Sequence, residues 1–139
     1  MRKVASLLAQ ALRLRQVYNR PRIMASAFRA DLETVAASAA AQEGVVWTLG
    51  ASEDLNVNLV RFGVGQGVGE HVNDEVDVLF LGVSGSGVIE VDGQEHALSE
   101  GALIFVPRGA RRSTWGVSED FAYLTVHKKR GPLRISRRT

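Results

Sequence analysis

Residues 65–77 read GQGVGEHVNDEVD, and this stretch concentrates side chains that could do chemistry. His71 is followed at every second position by Asn73, Glu75 and Asp77. On an unbulged β-strand alternate side chains share one face, so these four would project together. An imidazole with carboxylates suits a divalent transition metal such as Mn, Fe, Ni, Cu or Zn, with Asn73 offering a weaker amide oxygen. The same residues also fit a solvated acidic turn with His71 at its rim. Gly65, Gly67 and Gly69 precede no helical pattern, so they are not read as a phosphate cradle. They are expected to form a flexible entry loop.

The rest of the chain narrows the chemistry. There is no cysteine, which excludes disulfides, thiolate metal sites and a thiol nucleophile, and which fits a cytoplasmic location. His96 lies beside a hairpin signal and reads as exposed. His127 alternates with Tyr123 and Thr125, on a face that lines either a pocket or the core. Trp115 and Phe105 read as core, and Arg108 and Arg111 as solvent-facing.

With 139 residues, 45% of them hydrophobic and 23% charged, the chain suits one globular domain with a real core. No run approaches the roughly 20 apolar residues of a membrane span. The net charge of +2 hides a division. Residues 1–30 and 128–139 hold 13 of the 17 basic residues and no acid, whereas 31–127 hold four arginines and all 15 acids. Basic ends lying on an acidic body, its own or a neighbour's, explain this pattern most simply. Contact with nucleic acid or a membrane surface is a sharper alternative, but no aromatic interleaving or groove-reading motif supports it.

Residues 2–19 carry apolar positions at helical spacing (Val4, Leu7, Leu8, Ala11, Leu12, Leu14) and predict a helix that Pro21 ends. The apolar run is short and interrupted by Arg13 and Arg15, so it is not read as a secretory signal. Met24 could serve as an alternative start. A second helix is expected over 26–42, with Ser26 as N-cap and Gly44 as stop. From Val45 the pattern changes to short runs (VVWTL, LNVNLVRF, DVLFLGV, GVIEV, ALIFVP, FAYLTVH) punctuated by glycine. Asp92-Gly93 is a strong two-residue hairpin signal. Without strand–helix–strand alternation, a β-sandwich or barrel is expected rather than a parallel sheet.

The glycine, proline and histidine spacing of the β region resembles the cupin family. The first cupin motif is G, five residues, H-x-H, three or four residues, E, six residues, G. Gly65 and His71 fit it, Asn73 holds the second histidine position and Asp77 the glutamate position. Gly85 lies one residue late. The second motif is G, five residues, P-x-G, two residues, H, three residues, N. Gly101, Pro107 and Gly109 fit, while Arg112 holds the histidine position and Gly116 the asparagine position. The resemblance covers about residues 45–127. It implies an all-β double-stranded β-helix (jelly-roll) barrel, here over 44–128, with a basic helical extension over 1–43 and a basic tail over 129–139.

In a cupin of this kind the resemblance implies a metal held inside the barrel by three histidines and a glutamate. Arg112 departs from that set: a guanidinium stays protonated and repels a dication. It could fill the vacated space and pair with Asp77 or Glu75. The sequence therefore favours a metal-free barrel binding a polar or anionic small molecule through His71, Asn73, Asp77 and Arg112. One alternative is a metal-dependent oxygenase, isomerase or decarboxylase with a degenerate site drawn from His71, Asn73, Glu75 and Asp77. A metal-free isomerase using His71 as general base with Asp77 to orient it is another. A third is an interaction module acting through the basic termini. Residues 76–83 are apolar on both faces, so something must cover the outer one; a homodimer is expected.

Overall fold

The computed structural model describes residues 26–130; the expected helix over 2–19, Met24 and the tail beyond 130 lie outside the described residues. One helix, α1 (Leu32–Ser38), precedes nine strands. These are β1 (Gly44–Thr48), β2 (Leu55–Phe62), β3 (Gly67–Val72), β4 (Val78–Ser84), β5 (Ser86–Val91), β6 (Gln94–Ser99), β7 (Leu103–Val106), β8 (Arg111–Gly116) and β9 (Phe121–Lys128). They form a five-stranded sheet, β1-β2-β9-β4-β7, facing a four-stranded sheet, β3-β8-β5-β6. All pairings between these strands are antiparallel. The jelly-roll barrel expected from the sequence is present.

The helix is shorter than the expected 26–42. Asp31, not Ser26, is its N-cap, accepting the Thr34 backbone N–H at 3.0 Å. That bond is the main reason the exposed Asp31 carboxyl sits below the usual carboxylate range. The preceding residues stay out of the helix, and Phe28 stacks on Trp47 with centroids 6.3 Å apart. The Asp92-Gly93 hairpin forms as expected, both residues taking the positive φ of a tight turn (48° and 83°).

Two hydrophobic clusters hold the structure. The barrel interior is filled by Val60, Val76, Val78, Phe80, Ile89, Leu98, Val106, Phe121 and Tyr123, among others. The Tyr123 ring packs on Phe121, Phe80 and Phe62 at centroid distances of 5.2, 5.8 and 6.5 Å. Burial pushes the Tyr123 phenol well above its ordinary pKa, against a smaller opposing effect of its hydrogen bond with Thr114. On the outer face of the five-stranded sheet, α1 packs Ala36 against Leu59, Val83 and Ala122. Arg61 fastens this contact. Its buried guanidinium donates from Nη1 to the Ala36 carbonyl at 3.1 Å and from Nη2 to the Glu119 carbonyl at 3.4 Å. A cation at the last turn of a helix meets the negative end of its dipole.

Among the described residues, α1 covers the apolar outer face of β4 at Val83. Leu79 remains 39% exposed, with Phe105 at 57% and Leu103 at 64% beside it on β7. Phe105 is therefore not core, contrary to the sequence reading, because β7 is an edge strand and Phe105 points away from the barrel. Among the described residues no helix is long and apolar enough to cross a membrane.

Candidate functional site

The glycine run before His71 is a strand, not an entry loop. Gly67 begins β3, and a Cβ there would overlap the Thr114 carbonyl of β8, so the close approach of the two strands requires glycine. The ladder shifts register between Val68 and His71, then places His71 directly opposite Arg112. His71 is exposed. Its Nδ1 lies 2.8 Å from the Gly69 carbonyl. A carbonyl can only accept, so Nδ1 donates to it, and in the neutral ring Nε2 would hold the lone pair.

The alternation expected from His71 to Asp77 stops at Val72, where β3 ends. The next residues turn the chain into the other sheet, so the four side chains do not share one strand face. Asn73 makes that turn. Its Oδ1 accepts the backbone N–H groups of Glu75 at 3.0 Å and Val76 at 3.3 Å. This is an Asx turn, in which the amide oxygen replaces a backbone acceptor. The Asp77 carboxylate accepts the Arg108 backbone N–H at 2.8 Å, fastening the β3–β4 turn to the β7–β8 turn. Glu75 faces solvent and pairs with Arg130 at 3.5 Å.

Arg112 is only 2% exposed. It does not pair with Asp77 or Glu75. Its Nε donates to the Ala110 carbonyl at 3.3 Å, and Nη2 donates to the carbonyls of Pro107 at 3.1 Å and Ala110 at 3.2 Å. Burial depresses its pKa, and the charge of Asp92 opposes that shift. The group stays cationic regardless. Nη1 takes no part in the carbonyl bonds. Outside the barrel, Arg111 is solvent-exposed as expected and pairs with Glu70 at 3.0 Å.

These donors do not make the ligand set that the resemblance implied. One imidazole is present, the Asn73 oxygen and the Asp77 carboxylate are committed to backbone N–H groups, and a guanidinium stands at the third imidazole position. Among the described residues no group of three or more His, Asp or Glu side chains is arranged to hold a metal ion. A divalent metal does not fit this arrangement.

Thr48, Asn56 and Asn58 reach the same end of the barrel and were missed in the sequence. The Thr48 hydroxyl donates to Asn58 Oδ1 at 2.7 Å, and Asn58 Nδ2 donates to Asn56 Oδ1 at 2.6 Å. Alternation with apolar neighbours in LNVNLVRF was the available signal. His127 lies opposite Asn56, half-buried, its Nδ1 2.7 Å from the Lys128 carbonyl. His96 is half-buried rather than exposed, because its register opposite Ile89 points it inward.

The cupin domain family matches residues 58–127, half of the chain. The chain belongs to the cupin family. A cupin superfamily protein from Desulfitobacterium hafniense superposes with a TM-score of 0.60 at 25% identity, covering 77% of this cupin and 97% of that chain. An RmlC-like cupin with a double-stranded β-helix fold, from Methanocaldococcus jannaschii, gives 0.58 at 16% identity over 78% and 94% of the two chains. Dimethylsulfoniopropionate lyase DddW of Ruegeria pomeroyi is 30% identical over 78 residues, 55% of this cupin and 51% of that protein. This cupin thus spans about half the length of the curated relative it matches.

Proposed function

We propose that this cupin binds a small anionic molecule at the β3–β8 end of its barrel, without a catalytic metal. The observation that carries this reading is Arg112, a buried cation whose two bonded acceptors are neutral carbonyls. Carbonyls accept from its Nε and Nη2 but do not neutralise its charge. Burying a charge is costly, the charge of Asp92 offsets that cost only in part, and a carboxylate or phosphate arriving at Nη1 would relieve it further. Outward-facing apolar residues Leu79, Leu103 and Phe105 support a homodimer through the five-stranded sheet.

A second reading is a metal-free elimination or isomerisation with His71 as general base. The Gly69 contact, which leaves Nε2 as the free acceptor, favours it, as does the likeness to a lyase. Gly69 rather than Asp77 would orient the ring. His71→Gln separates the readings: it abolishes turnover in the second and leaves anion affinity within about twofold in the first.

The deciding experiment combines metal analysis and calorimetry. Protein is incubated with Mn, Fe, Ni, Cu or Zn, dialysed, and measured by mass spectrometry, then titrated with short carboxylates and phosphate. The expected result is no retained metal, and anion binding that Arg112→Met weakens at least about tenfold. Near one equivalent of metal, lost on His71→Ala, would overturn the proposal.

A further inference from the structure

Glu75, in the turn after β3, pairs with Arg130 just beyond β9. The end of β3 and the end of β9 therefore lie at the same end of the barrel. β2 begins there too, because Leu55 pairs with Lys128 and Asn56 with His127. Val60 and Tyr123 face the interior in β2 and β9, and Asn58, Asn56, Thr125 and His127 continue those inward faces at two-residue intervals. Asn56, Asn58, Thr125 and His127 are all half-buried. Further across the same sheet the inward positions are Val78 and Phe80, both core. The polar row thus occupies one side of the mouth only, and His71 and Arg112 stand at that end on the opposing sheet.

We infer that this row is the second half of the ligand site and takes the hydroxyl groups of a polyhydroxylated carboxylate whose charged end meets Arg112. The inference rests on the anion-binding reading of Arg112. Valence fixes what the row offers. Asn58 spends its oxygen on Thr48 and one N–H on Asn56, which leaves it a second N–H. Asn56 accepts through its oxygen, so its amide nitrogen is the donor end of the chain. His127 donates from Nδ1 to the Lys128 carbonyl, so in the neutral ring its Nε2 is an acceptor. Donors and an acceptor side by side suit groups that both donate and accept, which is what a hydroxyl does. An alkyl tail would strip water from these groups and return no hydrogen bond.

The test is calorimetric titration of the full chain with D-gluconate and with hexanoate, which share a six-carbon carboxylate and differ in hydroxyls. Gluconate is expected to bind about tenfold or more tighter. Asn58→Leu should erase that preference by weakening gluconate binding. Thr125→Val, nearly isosteric, serves the same purpose if Asn58→Leu does not fold. Equal affinity for the two acids, or a preference that both variants retain, overturns the hydroxyl-binding row and leaves the Arg112 reading standing. Binding of neither acid overturns both.

Discussion

His71 and Arg112 are Cα partners across the β3–β8 ladder, yet the imidazole is exposed and the guanidinium is 2% exposed. His71 lies on the edge strand β3, whereas Arg112 lies on β8, covered by strands on both sides. The carbonyls of Pro107 and Ala110 hold the guanidinium in place, and both belong to the tight connection between β7 and β8. A cation anchored by its own strand's preceding turn needs no carboxylate for its geometry, only for its charge.

Asn73 is expected to matter for stability. Asn73→Ala removes the acceptor for two backbone N–H groups at the corner between the sheets. The loss should be about 1 kcal/mol, read as a fall of about 4 °C in thermal melting. Asn73→Asp, which keeps the acceptor oxygen, should recover most of it.

Neighbouring glycines on β3 should behave oppositely. Gly67→Ala drives a Cβ into the Thr114 carbonyl and should cost about 2–3 kcal/mol in urea denaturation. Gly69→Ala meets nothing within 4 Å and should change stability by less than about 0.5 kcal/mol. Similar losses at both positions would contradict the β3–β8 packing.

Tyr123 predicts an alkaline sensitivity. Its pKa is raised in the folded state above the ordinary 10.0, by burial first. Below pH 10.0 both states hold the proton, so this phenol makes no pH-dependent contribution. Above it the unfolded chain releases the proton while the folded chain retains it, so stability falls as pH rises. Urea denaturation from pH 9 to 11 should show this slope, and Tyr123→Phe should flatten it.

The exposed face of β4 and β7 predicts the assembly. Phe105→Glu places a charge on the apolar outer surface without touching the barrel interior. Sedimentation velocity should show the proposed dimer for the wild type and a monomer for the variant, with the melting temperature of the monomer unit little changed. A wild-type monomer would count against this interface.

Much of the barrel was legible because its signals are local. Asp92-Gly93 is a strong tight-turn signal, and the runs from LNVNLVRF to FAYLTVH alternate as half-buried strands do. The spacing of Gly65, Gly101, Pro107 and Gly109 carried the family. β3 was hidden because GQGVGEHV has little β propensity; it is a strand because β8 lies so close that Gly67 can bear no side chain. The helix start was misplaced for a similar reason. Ser26 and Asp31 are both competent caps, and the stacking of Phe28 on Trp47 goes with the second.

The sequence by itself determined the fold and the identity of the residues at the cupin motif positions, including an arginine where the motif has a histidine. Spacing along a chain encodes turns and strand faces, which is enough for both. Only the tertiary structure decided where those residues point. Whether Asn73 and Asp77 face a ligand or hold backbone N–H groups depends on a corner between two sheets. Whether Arg112 meets a carboxylate or a carbonyl depends on the turn folded beneath it. The row formed by Thr48, Asn58 and Asn56 exists only because β1 and β2 pair in one register. Such contacts join residues distant in sequence, and no local pattern records them.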